Sequence, residues 1–135
     1  MKKFTITCLA LLTSTLSFAD NITDADEFLC AARHAQICFE TGDCFTTTPG
    51  ELSIPDFVVV NAKNKTVSTT KGGQQLRSSR FATVARDEGA IYLQGHESGR
   101  SFSFVINEHS GYVTVAIVRD GLTVNLFGAC TDADA

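Results

Sequence analysis

Tryptophan is absent from this 135-residue chain, proline occurs twice, methionine once, and charged side chains make up only 19% of it. Two prolines exclude a polyproline rod or a collagen-like chain, and a hydrophobic content of 44% excludes a disordered one. Eleven basic residues against fifteen acidic ones, a formal net charge of −4, leave no electrostatic footprint for nucleic acid. Aromatic residues, at 9%, offer few platforms for base stacking. The length excludes a multidomain enzyme. Beyond residue 19 no apolar run approaches the roughly 20 residues that a spanning helix needs. Cys-x-x-Cys is missing, and so is Gly-x-Ser-x-Gly. Lys71-Gly72-Gly73 places its lysine before the glycines, the wrong order for a phosphate loop.

What is present begins with a secretory signal. Lys2-Lys3 precede the apolar stretch Ile6–Leu12, and Ser17-Phe18-Ala19 puts small residues at the −3 and −1 positions before Asp20. Cleavage after Ala19 leaves 116 residues and removes two lysines, so nine basic residues face fifteen acidic ones and the net charge becomes −6. Residues 20–135 are then a single domain with no membrane span, exported to the periplasm or secreted. Bulk charge of that sign argues against anionic membranes as partners.

Loss of Cys8 with the signal turns five cysteines into four, an even number in an exported chain, which implies two disulfides. Cys38-Phe39-Glu40-Thr41-Gly42-Asp43-Cys44 fits a hairpin whose loop is Glu40-Thr41-Gly42, with Gly42 in the left-handed position. That register sets Cys38 against Cys44 and leaves Cys30 for Cys130. The rival pairing is Cys38–Cys130 with Cys30–Cys44. A zinc site is disfavoured because the spacing lacks paired knuckles.

From residue 36 onward, short β-branched and aromatic runs alternate with turn residues every eight to twelve positions. The runs are 36–39, 44–48, 57–61, 66–70, 80–86, 90–94, 101–107, 112–119 and 122–127. Phe102, Phe104 and Ile106 share one face, as do Val113, Val115 and Ile117, and then Leu122, Val124 and Leu126. The reading is a mainly β fold, an antiparallel meander of eight or nine short strands forming a barrel or half-open barrel. Asp87-Glu88-Gly89 reads as a three-residue turn, Asp120-Gly121 as a type I′ turn, and residues 95–99 and 107–111 as longer loops. One short N-terminal helix is expected from Asp24 to Arg33, because Thr23 offers an N-cap and Phe28, Leu29 and Ala32 share a helical face. Residues 71–79 read as a flexible connection.

His34, His96 and His109 are the natural candidates for metal or acid–base chemistry, yet each has an ordinary explanation. His34 sits at the end of the expected helix, and the other two lie in loops. The carboxylates Glu40, Asp43, Asp87 and Glu88 fall in turns, where they serve turn geometry and solvation. No catalytic set, cofactor site or metal site is therefore assigned. The chemically most varied loop is residues 94–100, and its His96, Glu97 and Arg100 are the candidate ligand-binding residues.

Cys38-Phe39-Glu40, Gly99-Arg100-Ser101-Phe102-Ser103 and Phe127-Gly128-Ala129-Cys130-Thr131 together resemble a group of small exported bacterial proteins of unknown function. The architecture is also similar to that of the small periplasmic barrels that inhibit lysozymes, with an amino-to-carboxy-terminal disulfide. Their signature loop has no match in this chain, so the analogy is one of fold. The expected function is a non-catalytic binding module that recognises an envelope protein or small ligand, including inhibitor-type recognition, through its hairpin loops. Two alternatives are a small hydrolase pairing a loop histidine with a carboxylate, and a carrier of a small apolar ligand.

Overall fold

The computed structural model describes residues 20–70 and 76–134. Residues 1–19, read above as a signal peptide, and the first part of the 71–79 connection lie outside that range. Ten strands form: β1 (Glu27–Phe39), β2 (Cys44–Thr47), β3 (Phe57–Asn61), β4 (Thr66–Thr69) and β5 (Ser78–Arg80), then β6 (Thr83–Asp87), β7 (Ala90–Glu97), β8 (Arg100–Asn107), β9 (Tyr112–Arg119) and β10 (Leu122–Asp132). They make one antiparallel sheet in the order β5-β4-β3-β1-β10-β9-β8-β7-β6, with β2 flanking β1, and the sheet curls into a half-barrel. The three alternating faces read from the sequence point inward. Phe102, Ile106, Val113, Val115, Val124 and Leu126 are all buried, and Phe104, Ile117 and Leu122 pack against them.

The expected helix over Asp24–Arg33 does not form; among the described residues the only helical element is a 3₁₀ turn, Gly50–Leu52. Asp24 has φ 69°, which is incompatible with entry into a right-handed helix at that point. The burial of this segment has period two: Phe28 and Cys30 are buried while Leu29 is exposed. A ten-residue helix would have to nucleate with little help, whereas β1 gains ladder partners on both edges. Its first half pairs with β3, its second half with β2, and β10 runs along nearly its whole length. Arg33 is the extra residue of a bulge between Ala32 and His34, placed where β1 changes neighbours.

The run expected as one strand over residues 80–86 is two strands, broken at Phe81-Ala82. β5 is the last strand at one end of the sheet and β6 the last at the other, so this two-residue link carries the chain from edge to edge. β5 lies beside β7, and the curl is drawn together there. Phe81 is buried against Phe102 and Phe104, with ring centroids 5.6 and 5.2 Å away in edge-to-face geometry. The Ala82 N–H donates to the Gln94 carbonyl at 2.8 Å, and the Phe81 N–H to the Lys65 carbonyl at 2.8 Å.

One end of the half-barrel is filled. Ile22, 1% exposed, plugs it beside Phe28, Val60, Ile91 and Ile106, and its N–H donates to the Glu108 carbonyl at 2.8 Å. Arg86 locks this plug: its guanidinium donates to the Glu108 carboxylate at 2.8 Å and to the Ala25 carbonyl. Asp26 lies 3.7 Å from the same guanidinium. Glu108 is the one buried charged residue among those described, and burial without that partner would be costly. Neither Ile22 nor this Arg86–Glu108 contact was singled out in the sequence.

Candidate functional site

Above the filled end, the inner faces of the strands do not meet, and a cavity of about 470 Å³ opens between them. Its walls are mainly apolar: Val58 and Val67 on one side, Phe102, Phe104, Val115 and Ile117 on the other, with Leu126 between. The curl makes the void. A volume in this range is typical of sites for small molecules, which run from about 300 to 1,000 Å³.

The rim holds the polar groups. Glu97 closes β7 and Arg100 opens β8, so the two are cross-strand partners on the inner face, 3.7 Å apart. Ser79 of β5 donates its hydroxyl to Glu97 Oε2 at 2.5 Å, a bond that crosses from one end of the sheet to the other. Gly95, two residues before Glu97 on the same face, makes this crossing possible, since a Cβ there would lie 2.7 Å from the Arg80 carbonyl oxygen. Arg77 and Ser78 complete the polar part of the rim on the β5 side.

Of the three residues read from the sequence as candidates, Glu97 and Arg100 line this cavity and His96 does not. The strands extend further than expected, to Glu97 and from Arg100, leaving only Ser98-Gly99 as the turn, with φ 50° and 76°. Alternation then turns His96 to the outer face, opposite Ser101, beside a shallow surface hollow that it lines with Arg100, Val118 and Arg119. Glu88-Gly89 is likewise a two-residue turn, because Asp87 pairs with Ala90. At Asp120-Gly121 only the glycine has positive φ, whereas the expected type I′ turn needs positive φ at both positions.

His34, His96 and His109 are all exposed, and no ion pair of any of them with a carboxylate occurs among the described residues. The histidine–carboxylate hydrolase thus finds no geometry to support it. No group of three potential metal ligands converges among those residues either. Cys38 is joined to Cys44 across the first hairpin, and Cys30 to Cys130 across β1 and β10.

The sequence also carries a signal for a further wall of the cavity. Thr48-Pro49-Gly50-Glu51 has the spacing of a capping box. The Thr48 N–H donates to Glu51 Oε2 at 3.2 Å, the Glu51 N–H returns to Thr48 Oγ1 at 3.3 Å, and the Thr47 hydroxyl reaches Glu51 Oε2 at 2.6 Å. This fixes the turn that presents Leu52 and Ile54 to the cavity. The Thr47 hydroxyl first, and then the Thr48 N–H, hold the Glu51 carboxyl below the ordinary glutamate value. A lowered folded value means that these bonds are intact above the ordinary value and are lost only as pH falls through the lowered one. In a carbon-13 titration, Glu51 is expected to protonate below the ordinary glutamate range with the Thr48 amide following it. A midpoint in the ordinary range with an unresponsive Thr48 amide would contradict the capping role.

Comparison of the chain with protein-family models, with curated proteins and with solved structures finds no match.

Proposed function

We propose that the chain is an exported, non-catalytic binding module whose ligand is a small, largely apolar molecule held inside the half-barrel. The cavity of about 470 Å³ carries this reading, because its walls are mainly apolar and it stays open while Ile22, Phe28, Val60, Ile91 and Ile106, which do not line it, are fully buried. A void that packing could have closed costs dispersion contacts and apolar burial, and a ligand restores both. Two disulfides suit an oxidising compartment, and among the described residues no helix is long and apolar enough to cross a membrane. Both agree with a periplasmic or secreted location and with the signal segment read from residues 1–19.

The absence of tryptophan makes the test direct. Uptake of the uncharged dye N-phenyl-1-naphthylamine should raise its fluorescence with the wild-type protein. Ile117→Trp, which pushes a larger ring into the cavity from β9, should reduce that rise while leaving the thermal midpoint within a few degrees. A folded wild-type protein that takes up no dye defeats the proposal.

A second reading keeps the expected recognition of an envelope protein through hairpins. It draws support from the β1–β2 tip, where Phe39 and Phe45 stand exposed with ring centroids 6.3 Å apart, braced by Cys38–Cys44. Aromatic side chains on a rigid support are the usual anchors of protein contacts.

A further inference from the structure

We infer that the cavity selects single-chain amphiphiles bearing one negative head group, with a medium-chain carboxylate as the simplest member, and that Arg100 and Arg77 hold the head at the rim. The inference rests on the binding-module reading above and specifies its ligand. Charge distribution is the first argument. Once residues 1–19 are removed, acidic residues outnumber basic ones fifteen to nine, yet the charged groups lining this cavity are two arginines and a single glutamate. A predominantly anionic surface thus has a locally cationic entrance to an apolar chamber.

The bonding pattern gives the second argument. Glu97 is already engaged by the Ser79 hydroxyl at 2.5 Å, while its contact with Arg100 is long, 3.7 Å from one guanidinium nitrogen. That spacing is an ion pair without a hydrogen bond, so most of the guanidinium's five donors remain available to a planar oxyanion. Arg77 has no carboxylate partner among the described residues. A ligand carboxylate would complete the rim's donors, and Ser79 would keep the Glu97 carboxylate engaged meanwhile. A cationic head would meet two arginines, and an uncharged head would leave their charge unused.

Depth constrains the ligand as well. Phe102, Phe104 and Val115 line the chamber below the rim, and the described lining contains no charged group besides those three. An extended hydrocarbon tail would therefore lie against apolar wall from the rim inward, where any second charge would be buried without a partner. The ligand's shape follows: charge at one end only.

Competition against bound N-phenyl-1-naphthylamine tests this, using decanoate, decanol and decyltrimethylammonium below their micellar concentrations. Decanoate is expected to displace the dye at concentrations about ten-fold lower than the other two, the size of a charged hydrogen bond at a partly exposed site. The Arg77→Gln, Arg100→Gln double variant should lose that preference while still binding decanol as the wild type does. Glu97→Gln, which removes the competing carboxylate, should strengthen decanoate. Equal displacement by decanol and decanoate, or best displacement by decyltrimethylammonium, would overturn the head-group assignment and leave the cavity reading standing. Retention of the decanoate preference by the double variant would also overturn it. Absence of dye uptake by the wild type defeats the cavity reading itself, and the head-group assignment falls with it.

Discussion

Replacing Cys30 and Cys130 together by serine is expected to cost about 4 to 5 kcal/mol, the chain-entropy value for a closure of this length. The two cysteines are 100 residues apart and directly opposite across β1 and β10, so reduction frees nearly the whole domain in the unfolded state. Both are buried, and two serine hydroxyls would replace an apolar bridge in the core. For a chain of this size the loss corresponds to a fall of about 20 °C in thermal midpoint. Such a change approaches the entire stability of an ordinary domain of about 5 to 15 kcal/mol. The Cys38→Ser, Cys44→Ser variant spans only six residues of separation and should cost about 2 kcal/mol, confined to the exposed hairpin. Thermal melts of both variants beside the parent decide the matter. Similar losses for the two pairs would mean that loop closure is not what the long bridge contributes.

The second large effect is expected at Gly128. Beside the Arg33 bulge, β1 presses so close to β10 that a Cβ on Gly128 would lie 2.0 Å from the Ala31 carbonyl oxygen and 3.2 Å from Ala32 Cα. The obstacle is backbone, which cannot rotate aside as a side chain would. Gly128→Ala must therefore separate the two longest strands at their midpoint or abandon the bulge, at about 4 kcal/mol or more. Gly50→Ala is the control: nothing lies within 4 Å of its Cβ position and it carries no positive φ. Its midpoint should stay within about 0.5 kcal/mol of wild type in urea unfolding. A soluble, fully stable Gly128→Ala protein would show that β1 and β10 do not approach each other in this way.

Local pattern made much of the sheet legible. Phe102, Phe104 and Ile106 declare their face through period two, and Cys38 to Cys44 declares a hairpin by its length and its glycine. Two failures have one cause, that partners distant in sequence decide what local pattern leaves open. Phe28, Leu29 and Ala32 fit a helical face as well as they fit a strand, and only the presence of β3 and β10 on either side settles the choice. Phe81 sits in an unbroken β-like run, and the turning of that run from β4 toward β7 follows from the curl of the sheet. The cavity was hidden for the same reason. Alternation tells which residues face inward but not how far apart the inner faces stand, and a closed core and an open chamber share one sequence pattern. At the rim, the choice of Glu97 and Arg100 came from their chemistry. Treating residues 95–99 as a loop concealed that His96 must point the other way.

The pairing of β1 with β10 also has a consequence in time. A chain that emerges in order, from a ribosome or through a translocation pore, presents β1 early, while the strand that covers most of its length arrives about a hundred residues later. Until then the early hairpin has one edge open and no complete core to rest on. The ladder along β1 and the Cys30–Cys130 bridge can be completed only once that last strand has arrived.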